Sequence, residues 1–140
     1  MHVRVANEMN QKLIMCVDDN LDIRDLITII LEEEGFAVIS SPDGESALEL
    51  IREHKPELIL LDVMMPGLSG LEVLRKLRCD SDSAINKIPI ILVTAKSQTA
   101  DLVDARSAGA TSYIVKPFIP EALIEKVQSL LVRKNSELIP

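Results

Sequence analysis

Four short apolar runs in this chain each stop at a residue that can do chemistry. Leu13-Ile14-Met15-Cys16-Val17 runs into Asp18-Asp19, and Leu58-Ile59-Leu60-Leu61 into Asp62. Ile90-Ile91-Leu92-Val93 runs into Thr94, and Tyr113-Ile114-Val115 into Lys116-Pro117. A strand that is apolar along its whole length is buried on both faces, as in a parallel sheet covered by helices. In such sheets, ligands collect just beyond the carboxyl ends of the strands. One edge therefore receives three carboxylates, a hydroxyl and an ammonium, a set suited to a hard cation and a phosphoryl group.

Helical patterns fill the intervals. Asn20 is a good N-cap ahead of Ile23, Leu26, Ile27, Ile30 and Leu31, which share a face, and Gly35 ends that helix. Phe36-Ala37-Val38-Ile39 is expected as a short second strand. Asp43 caps a second helix with Ala47, Leu48 and Ile51 turned inward, and Pro56 blocks its continuation. After a loop from Val63 to Leu68, Ser69 and Glu72 form a capping-box pattern before Leu71, Leu74 and Leu77. Cys79 to Lys87 reads as a polar surface loop. Leu102, Val103 and Ala105 mark a fourth helix that ends near Gly109. Pro120 opens a last one, with Leu123, Val127, Leu130 and Leu131 inward. This alternation predicts an α/β fold, a doubly wound five-stranded parallel sheet with right-handed crossovers and helices on both faces. The expected division is a disordered leader over 1–11, one domain over 12–133, and a flexible tail or start of a linker over 134–140.

A length of 140 residues suits one domain with a real core, and the net charge of −7 argues against nonspecific nucleic-acid binding. Cys16 and Cys79 make no disulfide framework and fit a reducing compartment. No apolar stretch approaches the ~20 residues of a membrane span, and the polar start lacks a signal peptide's apolar stretch. A soluble, cytoplasmic protein is expected.

With these residues in view, the chain resembles the receiver domain of bacterial two-component response regulators over about Lys12 to Arg133. The motifs behind the resemblance are Asp18-Asp19, Leu61-Asp62-Val63-Met64-Met65-Pro66-Gly67, Thr94-Ala95 and Lys116-Pro117-Phe118. Each alone is weak, but four in order, each at a strand end, are highly specific. The resemblance implies a flavodoxin-like strand order 2-1-3-4-5. It implies that Asp62 accepts a phosphoryl group from a histidine kinase or phosphotransfer protein as an acyl phosphate. Mg²⁺ would be bound by Asp19, Asp62 and the backbone carbonyl of Met64, with Asp18 acting mainly through water. Lys116 would pair with Asp62 before transfer and with the phosphoryl group after it. Thr94 would hydrogen-bond a phosphoryl oxygen, and Tyr113 would be the aromatic switch. Met64 and Lys96 would tune the rate of autodephosphorylation. The Lys116-Pro117 bond is a candidate cis peptide.

Such a protein is a phosphoacceptor rather than an enzyme. Its output would be a downstream protein target bound on the fourth helix, fifth strand and fifth helix, the face carrying Asp101, Asp104, Arg106, Glu121 and Lys126. No direct nucleic-acid binding and no membrane insertion are expected. Ser112 stands where relatives that dimerise through this face often have an acidic residue, which favours a separate protein target. The alternative is an N-terminal receiver of a longer regulator with a DNA-binding or diguanylate cyclase output. An aspartyl phosphatase needs an acid two residues after its nucleophile, and Met64 occupies that position. No Gly-rich loop follows a strand, which removes a nucleotide site. His2 lies in the leader, and His54 near a helix end suits the helix dipole. Glu32-Glu33-Glu34 is read as a solvated helix end beside the usual kinase-docking helix of the family.

Overall fold

Strands and helices alternate as the hydropathy requires, in a computed structural model that describes residues 11–95 and 102–137. The strands are β1 Leu13–Val17, β2 Ala37–Ser41, β3 Leu58–Asp62, β4 Ile90–Ala95 and β5 Ser112–Lys116. The helices are α1 Leu21–Glu33, α2 Gly44–His54, α3 Gly70–Arg78, α4 Leu102–Ser107 and α5 Pro120–Glu137. All five strands are parallel in the order β2-β1-β3-β4-β5. The doubly wound sheet and its implied strand order are both observed.

Two cores explain why the strands are apolar throughout. Met15, Val17, Ile59, Leu61, Ile90 and Leu92 face α2, α3 and α4, against Ala47, Ile51, Val73, Leu74, Leu77 and Ala105. Their neighbours Ile14, Cys16, Leu58, Leu60, Ile91, Val93 and Ile114 face α1 and α5, against Ile27, Leu31, Leu123 and Val127. Successive side chains on a strand point to opposite faces, so a sheet covered on both sides needs both sets apolar.

The local signals act as read. The Asn20, Asp43 and Ser69 side chains accept N–H bonds from the first turns of α1, α2 and α3, and Ser69 with Glu72 completes a capping box. Gly35 follows α1 with φ +93°, the left-handed position that favours glycine. α2 stops at Lys55, one residue before Pro56.

Three boundaries differ from expectation. β2 spans Ala37–Ser41 rather than Phe36–Ile39, because its partners in β1 run Leu13↔Ala37 to Val17↔Ser41, and pairing outweighs hydropathy at this edge strand. The expected loop 79–87 contains a helical turn, Ser83–Asn86, that buries Ile85 and is capped by Asp82. α5 continues to Glu137, so Lys134 to Glu137 of the expected loose tail are helical; 1–10 and 138–140 lie outside the described residues.

The half-buried Arg78 guanidinium clasps the end of α3 to two segments. It donates to the carbonyls of Asn86 (3.0 Å), Ile88 (2.8 Å) and Gly109 (2.8 Å). Burial lowers its pKa, and carbonyl dipoles serve in place of a carboxylate partner.

Candidate functional site

The carboxyl ends of β1, β3 and β5 deliver Asp18-Asp19, Asp62 and Lys116 to one place. One carboxylate oxygen from each of Asp18, Asp19 and Asp62 lies within 4.8 Å of the others. Asp18 and Asp62 are buried, at 2% and 5% exposure, whereas Asp19 is exposed. Lys116 Nζ lies 3.0 Å from Asp18 Oδ2 and 3.4 Å from Asp62 Oδ1. The resemblance led us to expect the Asp62 contact, but the shorter one, to Asp18, was not foreseen.

Asp18 is engaged at every polar atom. Its N–H donates to the Ser41 carbonyl (3.2 Å), and its Oδ1 accepts the Asn20 N–H (2.9 Å). Its Oδ2 takes Lys116, and its carbonyl accepts from Arg24 Nη1 at 2.7 Å. Among the described residues no hydrogen bond or ion pair engages the Asp19 carboxylate, which leaves it free for a ligand.

The electrostatics follow from burial and crowding. Burial, and next the Asp18 charge, push the Asp62 carboxyl from its ordinary 3.8 up to about 6, with Lys116 opposing. Lys116 is itself raised: burial works against its charge, but the Asp18 and Asp62 carboxylates outweigh it. Cys16, on β1 beneath the site, is pushed up to about 12 by burial and stays a neutral thiol. Three oxygen-donor groups, one open to solvent, suit a hard divalent cation such as Mg²⁺, which keeps several waters and needs few carboxylates.

Two backbone features hold Asp62. Val63 N–H donates to the Val93 carbonyl (3.1 Å), and Gly70 N–H to the Val63 carbonyl (2.9 Å). A Cβ on Gly70 would lie 2.1 Å from the Asp62 carbonyl oxygen, so α3 starts directly against the main chain of Asp62. Neither Gly70 nor Arg24 was singled out from sequence. The only trace of Arg24 there is its position four residues after the N-cap Asn20, one helical turn on.

Thr94 is fully buried on β4, and its hydroxyl donates to the Ala95 carbonyl (3.2 Å). Met64 is 62% exposed beside Asp62. Tyr113 is 45% exposed on β5; Lys126 Nζ donates to its carbonyl (3.0 Å) and lies 5.5 Å from its ring centroid. A groove of about 450 Å³ runs beside it, lined in part by Leu92, Ala105, Arg106 and Ala110. The Lys116-Pro117 bond is cis. Lys96 and Asp101 lie outside the described residues.

The sequence model of the response regulator receiver domain matches residues 14–128. Over 129 residues the chain is 41% identical to the DNA-binding response regulator MtrA of Mycobacterium tuberculosis, covering 92% of this chain and 54% of that protein. It is 42% identical to the probable transcriptional regulator ycf27 of Cyanophora paradoxa, covering 92% of this chain and 52% of that protein. The chain therefore spans about half the length of these curated relatives. Among solved structures it is similar to the chemotaxis response regulator CheY4 of Vibrio cholerae, with TM-score 0.79 and 29% identity over 85% of this chain and 98% of that one. It is also similar to the receiver domain of NtrX from Brucella abortus, with TM-score 0.78 and 32% identity over 84% of this chain and 97% of that one.

Proposed function

This chain belongs to the response regulator receiver family, and on that premise we propose that Asp62 is the phosphoacceptor of a Mg²⁺-dependent switch. The observation that carries the reading is the buried Asp62 carboxylate beside Asp18, Asp19 and Lys116 at one sheet edge. A histidine kinase or phosphotransfer protein is the donor. An Asp62 oxygen attacks the phosphorus of phosphohistidine, the new O–P bond forms as the N–P bond breaks, and the imidazole nitrogen leaves with the electron pair and takes up a proton. The product is an acyl phosphate on Asp62.

Asp19, Asp62 and the Met64 carbonyl would hold Mg²⁺, with Asp18 acting through water. The ion would neutralise charge on the transferring group. Lys116, a flexible point charge, is released from Asp62 to a phosphoryl oxygen. Thr94 exchanges its bond to Ala95 for one to the phosphoryl group, and Tyr113 responds. Because the phosphoryl group contacts the two states differently, it biases their populations. The affected face is α4, β5 and α5, including Asp104, Arg106, Glu121 and Lys126, and it binds a downstream protein.

In this reading the chain is a phosphoacceptor that assists its own modification, and the functional unit is residues 12–133. No helix among the described residues is long and apolar enough to cross a membrane, and we infer a cytoplasmic site of action. A second reading, favoured by the likeness to MtrA, makes the same receiver the head of a longer DNA-binding regulator; the open reading frame at the native locus distinguishes the two. The site is tested with acetyl phosphate and intact-protein mass spectrometry. We expect an adduct with Mg²⁺, none with chelator, and none in Asp62→Asn. An equal adduct in Asp62→Asn refutes the assignment.

A further inference from the structure

We propose that Arg24 is a positioning residue for the Mg²⁺ site, aiming Asp19 by pinning the peptide group that joins it to Asp18. The inference rests on the Mg²⁺ reading above. Arg24 sits one turn into α1, with its own N–H donating to the Asn20 carbonyl (3.1 Å), so its side chain can reach back over the helix start. Nη1 meets the Asp18 carbonyl oxygen at 2.7 Å, a short charge-assisted hydrogen bond. That oxygen marks the plane of the 18–19 peptide. Turning ψ of Asp18 moves that oxygen and carries Asp19 with it, so a grip on the oxygen resists a swing of the Asp19 side chain.

Of the other contacts of Asp18, only the one from Asn20 also restrains this rotation. Ser41 holds its N–H, and Asn20 and Lys116 hold its carboxylate. Ser41 and Lys116 bear on Asp18 before the 18–19 peptide, whereas the Asn20 N–H lies beyond it and closes a ring across it with Asp18 Oδ1. Arg24 alone among the described residues grips that peptide's oxygen. Asp19, exposed and with no partner of its own among the described residues, depends on the peptide's orientation for the direction of its carboxylate.

Electrostatics and positioning predict opposite signs for the loss of Arg24. Arg24 brings a positive charge close to three carboxylates. If it acted only as a charge, its removal would deepen the local negative potential and tighten Mg²⁺ binding. If it orients a ligand, removal weakens binding, and loss of a partner that orients a metal ligand typically costs ~10–100-fold.

The test is Mg²⁺ titration by calorimetry on the unphosphorylated chain, with urea unfolding alongside. Arg24→Met keeps most of the apolar stem and should raise the Mg²⁺ dissociation constant by about tenfold. Arg24→Lys, which keeps a charged donor, should recover most of that loss. If Arg24→Met does not fold, Arg24→Gln serves in its place with the same expected weakening. Unchanged or tighter binding in the uncharged variant overturns the proposal, as does a folded Arg24→Lys no better than Arg24→Met. Asp19→Asn is the control. If it binds Mg²⁺ as the parent does, the Mg²⁺ reading itself is wrong; if it loses binding while Arg24→Met does not, only the role of Arg24 falls.

Discussion

Replacing the acceptor Asp62 by Asn should stabilise the metal-free protein while abolishing its chemistry. Asp62 is 5% exposed, and its carboxyl stands at about 6 in the fold, where burial and the neighbouring Asp18 disfavour its charge. In the unfolded chain it titrates near 3.8. Because the folded value is the higher one, the native state binds the proton more readily, and stability rises as pH falls from about 7 towards 4. Above pH 7 the ionised carboxylate costs the fold its full share, roughly 3 kcal/mol at 1.4 kcal/mol per pKa unit. Asparagine escapes that cost but is a weaker acceptor for Lys116, which leaves a net gain of roughly 2 kcal/mol. With a urea m-value of about 1–3 kcal/mol/M, the midpoint should move up by roughly 1 M. Urea unfolding of parent and variant would be compared in EDTA at pH 7.5 and pH 4. The gain should appear at pH 7.5, vanish at pH 4, and shrink at pH 7.5 when Mg²⁺ binds and stabilises the parent. No gain at pH 7.5, or an equal gain at pH 4, would refute the claim that the acceptor is an electrostatic burden on the empty site.

Gly70→Ala should destabilise by roughly 3 kcal/mol, since its Cβ would meet the Asp62 carbonyl oxygen at 2.1 Å and neither backbone can yield cheaply; urea unfolding measures this, and a cost under 1 kcal/mol would mean α3 is less tightly seated. Met64, exposed beside Asp62, should hinder water approaching an acyl phosphate. Met64→Asn should therefore shorten the phosphoprotein's lifetime several-fold in a phosphate-release assay, and an unchanged decay would remove Met64 from the control of lifetime. Amide exchange with and without beryllofluoride should change protection from Leu102 to Tyr113 as well as around Asp62. Changes confined to the Asp62 loop would mean that α4 and β5 are not the output face.

The strand ends that hold the site were legible because a parallel sheet covered on both faces leaves its signature in the chain, a run of apolar residues cut off by a polar one. Asp18, Asp62, Thr94 and Lys116 each stand at such a cut, and the caps Asn20, Asp43 and Ser69 are set by bonds within four residues. What could not be read depends on distant partners. Ser40 and Ser41 join β2 because Cys16 and Val17 pair with them, not because they are apolar. The turn Ser83–Asn86 buries only Ile85, and one residue makes no periodicity. Gly70 against Asp62, Arg24 against Asp18 and Arg78 against three carbonyls are contacts across a loop or between elements, and no spacing rule announces them.

The seat of Gly70 on Asp62 separates what this domain can vary from what it cannot. The segment between them is tethered at both ends, by Val63 to Val93 and by Gly70 to Val63. Side chains such as Met64, which project outward from it, can be exchanged without moving the acceptor. A lineage could thus retune how long a signal lasts, from a brief pulse to a stored record, by substitutions in this one loop. The reacting carboxylate and its neighbours would stay where they are.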